Sequence, residues 1–383
     1  MFGKEAMREL KEYAVISKVD RKQKFFLGVP TECRVKTDNK TIRAIDKCKT
    51  LRRKHFKNNT VRNGVDKLSL LVMTDGGKDL KIFAKEFERL SHSADTIKKV
   101  KLFWIEAHRL FRGILTFQKY GILHHDIKPH NLVYNQKTNR INFIDFGHMR
   151  DKKSEMVKCE ASDGWIYDYP FWNYPFEIQF FNKRDFMNFA NKTKEQKEQF
   201  MLHFIQDLKT DTRTKFTDAF QIFMEYILTK KPVSSEKAIS DKYLLEFRKM
   251  ITEEIRPANY KPFLKASIDT IDVYGLGMSM QYVLGYMGRH MDITTVKKME
   301  SCFFFMTTPN LVQRYSCQEA IDAYETILIE SGYLDTYKII FDNHVPRHVK
   351  NTNRVERSLR RSHSKYWSAD HLDKAEFDRS REK

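Results

Sequence analysis

The residues with the clearest chemical potential lie between positions 124 and 147. The string His124-His125-Asp126-Ile127-Lys128-Pro129-His130-Asn131 sets a carboxylate, an ammonium and a carboxamide close together. Nineteen residues after Asp126 comes Asp145, in Asp145-Phe146-Gly147, straight after the apolar run Ile141-Asn142-Phe143-Ile144. Such a set suits phosphoryl transfer, which makes few covalent demands on a protein. The reaction needs a carboxylate to orient the attacking hydroxyl, a cation for the transferring group, and oxygen ligands for Mg²⁺. Asp126, Lys128 and Asn131 supply all three from one loop, and Asp145 adds a second metal ligand.

Two short strands, Leu132-Val133-Tyr134 and Ile141–Ile144, flank the turn-like Asn135–Asn139, so a hairpin is expected to bring the two loops together. Upstream, residues 4–19 read as a helix, with Ala6, Leu10, Tyr13, Ala14 and Ile16 near one face. Lys24–Val29 and Glu32–Val35 read as short strands, and Leu68–Met73 as a buried strand stopped by Asp75-Gly76-Gly77. Helical patterns run through 79–90 and 97–120, and from 178 to about 342 the chain is mostly helical. A few strands followed by many helices predict an α+β chain of two unequal lobes.

This string resembles the catalytic core of eukaryotic-type protein kinases, in which HxDxKxxN, a strand pair and Asp-Phe-Gly follow in this order. The resemblance implies a two-lobe fold with ATP and Mg²⁺ in the cleft between. The shortened small lobe would be 1–74 with a basic insertion at 37–67. The large lobe would be 75–342 with a helical insertion at 178–268, and 343–383 a basic tail. It further implies that Met73, Thr74 and Asp75, in Met73-Thr74-Asp75-Gly76-Gly77, form the adenine-binding hinge. Pro175-Phe176-Glu177 stands where the family has Ala-Pro-Glu, and Arg314 where its Arg pairs with that Glu, so Glu177–Arg314 is expected as a buried ion pair. Asp272, in Asp272-Val273-Tyr274-Gly275-Leu276-Gly277, would brace the catalytic-loop backbone. Asp126 followed by Lys128 is the serine/threonine pattern, so protein Ser/Thr hydroxyls are the implied substrates. The wording of Gly76–Leu80 and Thr270–Gly277, with the long insertion before the central helix, looks most like protein kinases of large double-stranded DNA viruses. That narrower likeness implies host cytoplasm or virion.

Two positions depart from the family. His125 replaces its Arg, and a histidine would hold a phosphorylated loop weakly and with pH dependence; the alternative is a partly buried, hydrogen-bonded histidine. At the front, Glu12 is the first choice for the small-lobe helix glutamate and Glu9 the second. Their lysine partner and a glycine-rich lid are not found: no GxGxxG occurs, and Lys4 falls on the same helix as Glu12. A shortened product, a member using another cation, and a pseudokinase that binds without efficient turnover all stay open.

Composition bounds the rest. The 383 residues are 41% hydrophobic, enough for a large core, and carry a net charge of +19. Residues 37–67 hold ten Lys/Arg against three acids, and 346–383 eleven against six. Such runs suit nucleic acid, acidic protein or anionic lipid, or are a solvated insertion and a frayed tail. No zinc-finger spacing accompanies them. The five cysteines include no CxxC, which argues against a disulfide scaffold and fits a reducing compartment. The charged start does not read as a signal peptide, and no run of ~20 apolar residues predicts a membrane span; a cytoplasmic location is expected. In the insertion, Phe186, Phe189, Phe200, Phe204, Phe220, Phe223 and Met224 are expected to pack onto the large lobe.

Overall fold

The computed structural model describes residues 3–49, 52, 64–161, 172–209, 215–231 and 233–334. In chain order come α1 (Gly3–Val19), β1 (Thr31–Arg34), α2 (Asn39–Lys47), β2 (Ser69–Val72), β3 (Lys78–Asp79), α3 (Leu80–Glu86), α4 (Ala94–Lys119), β4 (Ile122–Leu123), β5 (Leu132–Asn135), β6 (Arg140–Phe143), β7 (Arg150–Asp151) and α5 (Lys152–Ala161). There follow α6 (Lys183–Ala190), α7 (Lys194–Lys209), α8 (Lys215–Ile227), α9 (Val233–Glu254), α10 (Tyr260–Met287), α11 (Ile293–Thr307) and α12 (Cys317–Glu330). The fold is thus mixed but mostly helical, with small antiparallel sheets.

Local signals set the elements that matter for the site. Ser93 caps α4 by accepting from Thr96 N at 3.2 Å, and Asp79 caps α3 by accepting from Ile82 N at 2.9 Å. β5 and β6 pair antiparallel with Leu132 opposite Phe143 and Asn135 opposite Arg140, and β3 joins the other edge of β5. The turn is built by Asn135, whose side-chain oxygen accepts from Lys137 N and Thr138 N at 3.0 and 3.3 Å. α10 is buried on nearly every face, as its almost continuous apolar sequence requires. One contiguous core joins α4, α10, the hairpin and helices α6–α9, and takes in Tyr13 and Ile16 of α1. A small satellite of Ile45, Val65 and Leu68 lies by α2 and β2.

Several expectations need correction. Lys24–Val29 forms no strand: Phe25 and Phe26 are buried as a plug, making a single parallel bridge from Phe26 to Phe143 before Gly28 turns left-handed at φ 97°. The buried Asp20 carboxylate fixes that turn by accepting from Lys24 N and Phe25 N at 2.8 and 2.7 Å. β2 is not a buried strand. Among the described residues it pairs only with β1, and Leu70 and Val72 are 52% and 48% exposed, because its side chains alternate across a two-stranded ribbon. The pattern at 79–90 splits into α3 and a 3₁₀ turn over Phe87–Arg89. Within the insertion, Phe186, Phe189, Phe220, Phe223 and Met224 are buried, but Phe200 is exposed. Arg53, Lys54 and His55, the stretch 169–171 and the tail 343–383 lie outside the described residues.

Candidate active site

α10 holds the loop 124–131 by its backbone. The Asp272 carboxylate accepts from His124 N at 2.7 Å and from His125 N at 2.8 Å. One turn on, Gly275 packs so closely that an added Cβ would lie 2.6 Å from Ile127 O. The bracing expected of Asp272 is therefore present. His125 takes a left-handed φ of 65°, uncommon for a residue with a Cβ. Burial pushes its imidazole down to about 3, helped by Arg150 and other cations nearby. It is held neutral. Tyr174, whose phenol burial keeps protonated, shares a hydrogen bond with His125 Nδ1 at 2.9 Å. The idea of a weakly charged, pH-sensitive phosphate anchor is thus corrected: the buried, hydrogen-bonded alternative holds.

Three donors converge on Asp126. Lys128 Nζ lies 2.9 and 2.7 Å from its two carboxylate oxygens, Asn131 Nδ2 lies 2.7 Å from Oδ2, and Asn173 Nδ2 lies 3.1 Å from Oδ1. Asn131 also donates to the Asp126 carbonyl at 2.9 Å, and Asn173 approaches the Ile127 carbonyl at 3.3 Å. Sequence reasoning missed Asn173. Its only signal was a polar residue inside the aromatic run Trp172-Asn173-Tyr174-Pro175.

The hairpin register joins this loop to Asp145. Because Leu132 faces Phe143, the flanking residues also meet, and Ile144 N donates to Asn131 O at 3.0 Å. Asp145 itself is left-handed at φ 61°. Two such residues in loops joined by one hairpin are strain of the kind that gathers at functional sites. Burial pushes the His124 imidazole down, and the charges of Asp272, Asp126 and Asp145 oppose that shift. The imidazole packs 4.9 Å from the Phe146 ring, and Phe146 meets Tyr13 of α1 edge-on at 5.3 Å.

That contact fixes the phase of α1. Burial raises the Glu9 carboxyl and Asp145 adds to the rise, whereas Glu12 is raised by burial and opposed by Arg150 and Arg8. Glu9, not Glu12, thus has Asp145 as a charged neighbour. The signal was present in the sequence: Ala6, Glu9, Tyr13 and Ile16 share one helical stripe, and the other three are fully buried. Among the described residues neither glutamate forms an ion pair.

Residues 73–77 lie along β5. Gly77 has φ 84° and sits where a Cβ would be 2.2 Å from Tyr134 O, while a Cβ on Gly76 would touch Val133 and Leu27. Asn135 Nδ2 donates to Asp75 O at 3.2 Å and Asp75 Oδ1 accepts from Gly77 N at 2.9 Å. Met73 is half-buried, and Thr74 and Asp75 are exposed. Val133, read in the sequence only as part of a strand, underlies this link.

Asn131 and Asp145 offer only hard oxygen ligands. Asn131 turns its nitrogen to Asp126, leaving its oxygen to other partners, and Gly147 leaves room beside the Asp145 carboxylate, where a Cβ would approach to 3.3 Å. Among the described residues no three His, Cys, Asp or Glu side chains gather into a metal site. Two protein ligands completed by water and phosphate oxygens are the usual arrangement for Mg²⁺, so the residues fit that ion. Glu177 and Arg314 form the expected buried pair, with Nη1–Oε1 2.5 Å and Nη2–Oε2 3.2 Å.

No helix among the described residues is long and apolar enough to cross a membrane. No protein-family profile matches the chain. It is 27% identical over 150 residues to a probable casein kinase II subunit alpha homologue of Encephalitozoon cuniculi (strain GB-M1), covering 36% of this chain. The match spans about half, 46%, of that relative's length. This weak similarity points to a relationship with the protein kinase superfamily, with which the mixed, mostly helical fold is compatible.

Proposed function

We propose that the chain transfers the γ-phosphoryl group of ATP to serine or threonine hydroxyls of protein substrates, with Mg²⁺. The observation that carries this reading is the convergence of Lys128, Asn131 and Asn173 on Asp126, in a loop bonded directly to the residue before Asp145. Asp126 would orient the acceptor hydroxyl and take its proton. Lys128, already against that carboxylate, would turn its ammonium to the transferring group. Asn131 and Asp145 would hold Mg²⁺, which would neutralise phosphate charge. The adenine would lie against Val133 beside the backbone of Met73, Thr74 and Asp75, between a small lobe (1–74) and a large lobe (75–342). The basic segment 37–67, whose described part includes exposed Lys40, Arg43 and Lys47, would meet acidic protein or nucleic acid.

The test is radiolabel transfer from ATP to a mixed protein substrate, with Asp126→Asn as control. Loss of a positioned general base should lower turnover by ~10²–10⁴. Absence of transfer by the wild type, or an unchanged Asp126→Asn variant, would sink the reading. One observation favours a second reading, binding without efficient turnover: Glu9 stands by Asp145 with no lysine partner among the described residues. A thermal shift with Mg-ATP but no transfer would select it.

A further inference from the structure

The insertion does more than thicken the large lobe. It grips the segment that touches Asp126 on both sides of the contact. On one side, Tyr226 of α8 stacks on Trp172 with ring centroids 4.3 Å apart and planes 26° apart. On the other, Phe176 packs edge-on against Phe220 and Phe223 of α8 at 5.5 and 5.7 Å, and against Tyr243 and Phe247 of α9 at 6.3 Å each. Between these grips stands Asn173, which bonds Asp126 Oδ1 and the Ile127 carbonyl.

Tyr226 is itself anchored. Its ring lies 4.8 Å from Tyr282, on the same helix that carries Asp272 and Gly275, and Lys81 of α3 sits 5.6 Å over its face. Trp172 meets His130 of the catalytic loop edge-on at 6.5 Å. A rigid path therefore runs from α10 through Tyr226 and Trp172 to Asn173 and Asp126. The steps are two aromatic contacts, the peptide link from Trp172 to Asn173 and a hydrogen bond, and none needs an added charge. With His125 neutral and bonded to Tyr174, the loop has no cation at that position to grip an anionic group.

We propose that Tyr226 is a positioning residue for the reaction: through Trp172 it holds Asn173 on Asp126, so that the insertion permanently clamps the catalytic carboxylate. This rests on the phosphotransfer reading above. Stacked aromatic rings attract one another beyond the burial of their area and prefer a defined geometry, which keeps a short segment in register. Catalysis is steeply sensitive to displacements on the order of 1 Å.

The test compares Tyr226→Ala, Tyr226→Leu and Tyr226→Phe in the full chain, with Phe189→Ala as a variant that thins the insertion's packing elsewhere. Two readouts are taken: kcat and KM for ATP, and amide hydrogen exchange over Trp172–Glu177. Tyr226→Ala and Tyr226→Leu are expected to lower kcat by ~10–100-fold with KM for ATP within about twofold, by misplacing the carboxylate. Exchange across 172–177 should rise in both. Tyr226→Phe, which keeps the ring, should restore both readouts, and Phe189→Ala should leave kcat within about threefold. Should Tyr226→Ala fail to fold, Tyr226→Leu, which keeps apolar bulk, carries the comparison. Unchanged kcat in Tyr226→Leu, or an equal loss in Phe189→Ala, would overturn the clamp while leaving the transfer activity intact. Should the wild type transfer no phosphate, the phosphotransfer reading fails separately. The exchange readout then decides the clamp: unchanged protection in Tyr226→Leu overturns it.

Discussion

Gly275→Ala puts the support of the catalytic loop to a quantitative test. The new Cβ would lie 2.6 Å from Ile127 O and 3.1 Å from Ile127 Cβ. Ordinary contact begins at 3.4 Å, so the loop backbone and helix must part by roughly 0.8 Å. The obstacle is a carbonyl oxygen and not the end of a flexible side chain, so it cannot rotate aside. Overpacking of this kind costs ~1–3 kcal/mol, while alanine in a helix interior gains about 1 kcal/mol over glycine. The net expectation is destabilisation by about 1 kcal/mol. Asp126 adjoins Ile127, and a shift approaching 1 Å at that carboxylate should lower turnover on the order of 10²-fold. Gly277→Ala is the matched control. It meets Met306 Cβ at 2.6 Å on the α11 side of the same helix, away from the loop. Thermal unfolding and single-turnover transfer, measured below both unfolding transitions, separate the two. Similar stability losses with turnover lost only in Gly275→Ala are expected. Wild-type turnover in Gly275→Ala, or equal turnover loss in both, would refute the reasoning.

Other outcomes follow from the same geometry. Arg314→Met leaves the buried Glu177 carboxylate without its bidentate partner and should cost about 3–5 kcal/mol in urea unfolding, with much of the loss recovered in Arg314→Met/Glu177→Leu. His125 is depressed to about 3 in the folded chain, against an ordinary value of 6.5. As pH falls below 6.5 the unfolded chain gains a proton that the folded chain refuses, so stability declines between pH 6.5 and 3, by about 2 kcal/mol at pH 5. Burial of neutral His124 acts in the same direction. His125→Gln, whose amide can still hydrogen-bond to Tyr174 in either direction, should flatten the decline in a pH series of melting temperatures; an identical slope would count against it.

What the sequence made legible was local or carried by motif. The hairpin could be read because its strands and turn lie within twelve residues, and its register then dictates that Asn131 meets Ile144. Asp272 and the Glu177–Arg314 pair were anticipated through the resemblance, although 148 and 137 residues separate the partners. Asn173 was not, because its contact with Asp126 spans 47 residues and lies in an aromatic run packed against α8 and α9. Glu12 was preferred over Glu9 because apolar neighbours at Val15 and Ile16 were weighed without knowing that Tyr13 would meet Phe146. Phe25-Phe26 read as strand because apolar runs look alike whether they pair along their length or plug a core; only the Asp20 turn and Gly28 decide which. Leu70 and Val72 look buried in one dimension, and are exposed because the described sheet there has only two strands.

The hairpin between Asn131 and Asp145 also says where this chain can change length. Its tip, Gln136–Asn139, lies beyond the last paired residues, so a reporter peptide spliced after Lys137 would leave the phase of both arms untouched. One residue added inside either arm would reverse the outward and inward faces from that point on and carry Asp145 to the far side of the ribbon. Insertions and deletions among relatives of this chain should therefore gather at the tip and spare the arms.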